Sequence, residues 1–501
     1  MGILLLSVFL SLLLGFDLGI FLSVYHYPDG ITLFSSIFPK ITIILLIILI
    51  LILAYYLISK KKQFFLISLI MIIFYLAFTY SFIISKNRID KLISTPPSRF
   101  VNGYVKVSFL NKILLQSSNY NVWVYIKDHD QEFTRLGANV VVVGKFRHFY
   151  NYLTNKNFLS YSLYLLKDNV PFVLYSDEES FIDTVGEENI FVKVANDIRQ
   201  NAVSVFENNL PLTHWLSSSL IIGESSDLSK EFYENIRKAG LSHIFSVSGF
   251  HVGVIVGVLI VLLNLFRIPK FLQFIIVSSF LAVYSIIVGM KPPVVRASVL
   301  ASSVLLIRAI NLNPNYLNIT SITGIAMLMV DPFLSVDVGF ILSFIALITI
   351  ILFSRYINDA VTIACNKFFK FEMGNLSKET VSLFSVSFVA TMFTLPIILI
   401  WFSKSSIVGI ISSIVMVPLS SLNITSGMLS YISYLTIPTL GEIFFRATNL
   451  FNVVFIILTN YFSSIPLEIS ANLNFLYLFL AIPLYYYLLS VSIVKLPEIL
   501  K

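Results

Sequence analysis

The chain has 501 residues, 57% hydrophobic and only 12% charged, with a net charge of +7 and a mean hydropathy of +0.87. Soluble domains carry about a quarter charged residues, so this composition excludes a soluble globular protein and puts most of the chain in lipid. The single cysteine, Cys365, excludes a disulfide framework and a cysteine-based metal cluster.

A spanning helix needs about 20 apolar residues, and the sequence predicts about 11–12 of them. The first apolar runs are Ile3–Leu22, Ile41–Ile58 and Phe64–Ile84. No basic leader or small-residue cleavage site precedes them, so Met1–Val24 reads as a retained helix. Lys60-Lys61-Lys62 lies between the second and third runs. The positive-inside rule makes that loop cytoplasmic, which puts the N-terminus in the cytoplasm and residues 86–215 outside. Arg267, Lys270, Arg308 and Arg355 fall on inner sides, whereas Lys291, Arg296 and Lys404 fall outside and break the pattern.

Residues 86–185 change character. Pro96-Pro97 marks a linker, and short β-branched and aromatic runs follow at Val101–Phe109, Ile113–Gln116, Val122–Ile126, Val140–Val143 and Phe172–Tyr175. Such a run of short strands predicts a small β-barrel, with the OB-fold as leading candidate. Residues 86–170 hold 12 basic and 5 acidic residues, whereas 171–200 hold 2 and 7. A basic barrel carrying Trp123, Tyr125, Lys145 and Arg147 has the chemistry to stack bases and hold phosphates; equally, its aromatics fill the barrel interior. Val194, Ile198, Ala202 and Phe206 then recur four apart, predicting an amphipathic helix over 190–206. A second helix is predicted from Asp227, as N-cap, to Gly240. Both belong to an interfacial segment, 186–240.

Membrane runs resume at Ile244–Leu265, Phe271–Gly289, Ala297–Ile310, Leu317–Val330, Val338–Phe353, Val381–Trp401, Ile407–Leu435 (one or two spans), Phe451–Phe462 and Phe475–Val494. Into the first of them leads Gly240-Leu-Ser-His243-Ile-Phe-Ser246-Val-Ser248-Gly249-Phe-His251-Val-Gly253. Polar groups at that depth are costly unless they pair or line a wet cavity. Gly249, Gly253 and Gly257 share a helix face and predict close helix packing. His243 and His251 stand about 80° apart around a helix, which disfavours a two-histidine metal site. Ser248 and His251 raise an intramembrane hydrolase as an alternative, with no base on a second helix to support it. Pro292-Pro293 before Arg296 predicts an interrupted span entry, with Arg296 placed to hold a phosphate or to pair with Asp331 or Asp337. Glu224 and Asp227 form an outer polar loop, and Asp17 lies unexplained in the first span.

The block 240–253 resembles the signature of ComEC-type competence proteins, membrane channels for incoming DNA. Asn155-Lys156-Asn157-Phe158-Leu-Ser-Tyr161 resembles the family's Asn-Pro-Gly-x-Phe-Asp-Tyr element, with Lys156-Asn157 in place of Pro-Gly. Gly223-Glu224-Ser-Ser-Asp227, Lys291-Pro-Pro293-Val-Val-Arg296-Ala297, Asp331-Pro332, Gly339–Phe344 and Val417-Pro418-Leu419 resemble further family blocks in order. Ser413 stands where the family has asparagine, and the His-x-His-x-Asp-His cluster of the family's C-terminal metallo-β-lactamase-like domain does not occur.

The resemblance implies a polytopic α-helical membrane protein with an inserted small extracytoplasmic β-barrel (OB-like) domain. It is organised as 1–85, three N-terminal transmembrane helices; 86–185, the OB-like domain; 186–240, interfacial helices; and 241–501, a channel domain. The implied function is translocation of single-stranded DNA across the bacterial cytoplasmic membrane during transformation, without catalysis, cofactor or metal. His243, Ser246, Ser248, Gly249, His251, Gly253 and Arg296 would organise the path. Expected partners are single-stranded DNA, the lipid bilayer, and separate motor and DNA-receptor proteins, with homo-oligomerisation open. No Gly-x-x-x-x-Gly-Lys-Ser/Thr loop occurs, so energy must come from elsewhere. Transport of another polyanion or small solute is the other alternative.

Overall fold

The computed structural model describes residues 2–25, 62–96, 100–109, 112–117, 119–125, 139–153, 159–175, 181–184, 190–224, 228–245, 247–369, 375–402, 404–465 and 467–470. The predicted spans Ile41–Ile58 and Phe475–Val494 lie outside them. The described residues form two compact units, one from 1–196 with 317–341 and the other from 197–316 with 342–501.

The first unit begins with α1 (Gly2–Tyr25) and α2 (Lys62–Ser94). Their backbones approach closely because Gly15 and Gly19 face α2. A β-carbon on Gly19 would lie 2.6 Å from the Phe78 carbonyl oxygen. The β domain follows, with β1 (Phe100–Phe109), β2 (Lys112–Gln116), β3 (Asn121–Tyr125), β4 (Asn139–Val143), β5 (Phe146–His148), α3 (Phe149–Leu153), α4 (Leu159–Lys167), β6 (Phe172–Tyr175) and β7 (Phe181–Thr184). Each run predicted from β-branched patterning is a strand; β5, β7, α3 and α4 are additions.

The strands make one sheet in the order β5-β6-β3-β2-β1-β4-β7, with β3 and β6 parallel and the remaining pairs antiparallel. The order has two ends, so the sheet is a half-barrel. Val101, Val105, Ile113, Leu115, Val122, Val124, Val140, Val142 and Leu174 fill its inner face. Alternation along each strand turns the intervening residues to the other face.

The second unit is helical. Its elements are α5 (Ile190–Asn209), α6 (His214–Ser217), a π-helical turn (Ser218–Ile222), α7 (Lys230–Lys238), α8 (Ser242–Phe245), α9 (Gly249–Leu265), α10 (Lys270–Ile287) and α11 (Pro292–Ala309). The first unit then takes up α12 (Tyr316–Val330) and a 3₁₀ turn (Pro332–Val336), before α13 (Val338–Phe369), α14 (Asn375–Phe402), α15 (Val408–Thr436) and α16 (Pro438–Ser463). Among the described residues six helices are long and apolar enough to cross a bilayer, and three shorter apolar ones lie at Leu6–Phe21, Gly249–Leu265 and Tyr316–Val330. The protein is a polytopic α-helical membrane protein with an inserted β domain. The run 407–435, open between one span and two, is one helix of 29 residues carrying Pro418 inside it.

Helix α7 starts later than Asp227, because Ser229 is its N-cap and accepts the Phe232 N–H. It ends at Gly240, whose φ of +73° is the left-handed conformation that glycine alone adopts cheaply. A β-carbon there would lie 2.5 Å from the Gly409 α-carbon. Gly240→Ala should therefore cost more than the about 1–3 kcal/mol of left-handed strain alone, read as a lower unfolding midpoint of the detergent-solubilised protein. A midpoint within error of wild type would show that the contact is not tight.

Candidate functional site

The Gly240 turn positions the polar segment. The last carbonyls of α7 find partners within the second unit: Ser406, at the end of the short strand Lys404–Ser406, donates to the Lys238 carbonyl at 2.5 Å, and Ser412 of α15 donates to the Ala239 carbonyl at 2.9 Å. The chain then buries Leu241, Ile244 and Val247 and enters α9 through Ser248, whose extended backbone makes it the N-cap. His251 sits in the first turn, fully buried. Its Nδ1 accepts the Ser248 backbone N–H at 3.2 Å and lies 3.3 Å from the Ser248 Oγ. This is a capping box with histidine in place of glutamate. Because Nδ1 already accepts an N–H, it is poorly placed to take a proton from Ser248, which weakens the hydrolase alternative. Nε2 is buried and has no hydrogen-bond partner among the described residues.

Around this segment stand cations. Arg296, on the second turn of α11, is 3% exposed and donates from Nη2 to Ser343 Oγ at 3.3 Å. Lys291 donates to the Gly223 carbonyl at 2.6 Å. Arg199 pairs with Glu224 at 2.6 Å. Burial lowers the Lys291 ammonium from 10.5 to about 8, with Arg199 adding to the shift and Glu224 opposing it. Sequence reading missed Arg199 and marked Lys291 only as an outer-side charge that breaks the pattern. Its partner, a backbone carbonyl 68 residues away, leaves no trace in sequence.

Several expectations need correction. Asp331 and Asp337 have roles at the ends of local helices. Asp331 accepts the Phe333 N–H at the start of the 3₁₀ turn, and Asp337 accepts the Phe340 N–H and pairs with Lys167. The glycine stripe does not pack as expected. Gly249 meets Ala297, but β-carbons on Gly253 and Gly257 would find nothing within 4 Å, so that face is open among the described residues. His251 is buried in the first turn of α9, and His243 lies in the short helix α8 before it. The described residues contain no cluster of three metal-ligating side chains. Ser246 and Asp227 lie outside the described residues.

In the β domain the sheet's outer face is divided. Over β2, β3 and β6 it is covered by α4. Trp123 is 2% exposed, stacks on Tyr164 with centroids 5.5 Å apart, and donates from its indole to Asp168 at 3.0 Å. Its ring is thus part of the fold rather than a free stacking surface. Tyr125 stacks on Tyr175 at 4.8 Å and its hydroxyl lies 3.2 Å from that of Tyr161. Lys112 sits among these rings, 4.6 Å from the Trp123 centroid, and burial lowers its ammonium while Asp168 raises it. Arg147 is exposed and lies over the Tyr175 ring at 5.0 Å, and Lys145 is exposed beside it. Over β1 the outward residues are exposed. They are Phe100, Asn102, Tyr104 and Lys106, with Phe100 63% and Tyr104 43% exposed. Sequence reading passed over Phe100 because alternation alone does not say which half of a face a helix will cover.

A family model described as Competence protein matches residues 220–498. The chain is also similar to ComE operon protein 3 of Bacillus subtilis (strain 168), 24% identical over 298 residues, which are 59% of this chain and 36% of that relative. The chain therefore aligns with little more than a third of that relative's length. No solved structure matches.

The Lys291 shift has a pH consequence. The folded state holds the ammonium less tightly than the unfolded chain does, so folding is penalised below about pH 8 and stability rises toward pH 10.5 as that penalty disappears. The difference in unfolding midpoint between wild type and Lys291→Met should change across this window. A constant difference would show that the ammonium is not desolvated.

Proposed function

Because this chain belongs to the competence protein family, we propose that it is a channel component for DNA uptake, conducting single-stranded DNA across the bacterial cytoplasmic membrane. The observation that carries this reading is the exposure of aromatic and basic side chains along the outer face of β1. There Phe100 and Tyr104 alternate with Asn102 and Lys106 on an exposed surface, the combination of ring faces and positive charge that single strands bind. Exposed Lys145 and Arg147 extend the charge, and Tyr125 contributes through its stacked partner Tyr175.

Within the helical unit, His243, Ser246, Ser248, Gly249, His251, Gly253 and Arg296 organise the path, with Glu224 and Asp227 on its outer loop. The support is physical. Arg296 is a buried cation, and the open glycine face of α9 exposes backbone without side chains at Gly253 and Gly257. Polar or irregular backbone at membrane depth is tolerated where it lines a cavity. The organisation by sequence remains 1–85, 86–185, 186–240 and 241–501, with the N-terminus cytoplasmic and residues 86–215 extracytoplasmic. A separate motor and DNA receptors complete the machinery.

Two measurements test this. Deletion of the gene should abolish passage of labelled DNA into a nuclease-protected state, and unchanged uptake overturns the reading. In the full-length protein, Phe100→Ala with Tyr104→Ala should weaken single-stranded oligonucleotide binding by about 1–3 kcal/mol per stacked base. The slope of affinity against salt should stay constant, since no charge is removed. Unaltered affinity would move the stacking surface elsewhere.

A further inference from the structure

Arg199, Lys291 and Glu224 meet at the loop that follows the π-helical turn. Arg199 gives its Nη2 to Glu224, while its Nε is buried without a hydrogen-bond partner among the described residues. Lys291 gives its ammonium to the Gly223 carbonyl and lies within Coulombic reach of Arg199 and Glu224. The same Gly223 is packed by Val247 of the signature segment; a β-carbon there would meet Val247 at 2.9 Å and the Lys291 nitrogen at 2.5 Å. Val247 leads into the cap of α9, where the His251 ring is buried. Because its Nδ1 accepts the Ser248 N–H, the proton of the neutral ring belongs on Nε2, a buried donor with no partner.

Among the described residues the cluster therefore holds two cations, Arg199 and Lys291, against the one carboxylate of Glu224. Buried charge and unpaired donors are costly unless an anion answers them. The acceptors present, a carboxylate and a carbonyl, are of the kind that phosphate oxygens replace, since both accept charge-assisted hydrogen bonds from arginine and lysine.

We propose that Arg199 and Lys291 form a phosphodiester-receiving site that the chain keeps occupied with its own Glu224 carboxylate and Gly223 carbonyl. This rests on the strand-conducting reading above and adds a control to it. An arriving phosphate must displace Glu224, so occupancy is weak and reversible. Conduction needs that balance, favourable enough for entry and weak enough for exit.

The test uses the full-length protein in nanodiscs of zwitterionic lipid at neutral pH, with inorganic pyrophosphate and a short single-stranded oligothymidylate as probes. Glu224→Gln keeps the shape and removes the internal charge; it should tighten pyrophosphate binding roughly tenfold, the scale of one charge-assisted hydrogen bond. Lys291→Met and Arg199→Gln should each weaken it by roughly the same factor. A gain of binding cannot come from misfolding, so Glu224→Gln decides the matter even if the cation variants fold poorly. Unchanged or weaker binding by Glu224→Gln overturns the proposal.

The oligothymidylate separates the two ideas. If it binds wild type and all three variants alike, the strand-conducting reading stands and this site falls. If pyrophosphate follows the expected order but the oligothymidylate binds nowhere, the anion site stands and the strand is not its occupant. Loss of pyrophosphate binding only in anionic nanodiscs, with no oligothymidylate binding, would assign the site to lipid headgroups and overturn the strand as its ligand.

Discussion

The close approach of Gly240 and Gly409 sets the geometry on which the polar segment depends. Helix α7 must stop where its chain turns left-handed, and no side chain other than hydrogen fits between the two backbones. Because the two glycines touch, Ser406 and Ser412 can reach the carbonyls that the helix end leaves without partners. That junction fixes where Leu241 begins, and so where Ser248 caps α9 and where His251 is buried. A helix terminus is usually satisfied locally; here a strand residue and a helix residue far along the chain satisfy it, which makes the cap a tertiary contact.

The same rule, that polar groups in apolar surroundings must find partners within the protein, explains the interior of the helical unit. Helix α15 buries Ser412, Ser413, Ser420, Asn423, Ser426 and Ser430. Ser413 and Ser420 donate to carbonyls one turn back, at Gly409 and Met416, so their polarity is absorbed by their own helix. Asn423 and Asn452 are different. Asn423 donates to Asn452 at 2.6 Å, and Asn452 donates to Thr213 and Ser217. This network joins α15 and α16 to the segment at α6, beside the π-helical turn that leads to Gly223. Hydrogen bonds between helices supply specificity in lipid, where apolar burial does not discriminate among helix pairings.

In the β domain, the aromatic residues have two separate roles. Trp123, Tyr161 and Tyr164 form the contact between sheet and helix, and Lys112 is held among them by cation–π attraction. Arg88 ties the end of α4 to the chain beneath it, donating to the Leu166 and Lys167 carbonyls while stacking on Phe333 at 3.6 Å. Lys167 pairs with Asp337, which also caps α13. The half of the outer face under α4 is thereby fixed against the helices of its own unit, and Phe100 and Tyr104 remain exposed on β1.

The sequence by itself determined the membrane class, the positions of most helices, the run of short strands and the segment 240–253. These follow from local quantities: apolar length against bilayer thickness, period-two alternation, and polar residues where lipid would exclude them. Ser248 and His251 were legible as a pair because they are three residues apart. Tertiary structure alone decided the rest. It assigned Trp123 to the fold and Phe100 to the surface, since a covering helix and not the strand's alternation divides the face. It left Gly253 and Gly257 open, since a small-residue stripe permits a neighbour without supplying one. It gave Asp337 to Lys167 and brought Arg199, Lys291 and Glu224 together, since charges far apart in sequence are paired by the path of the chain.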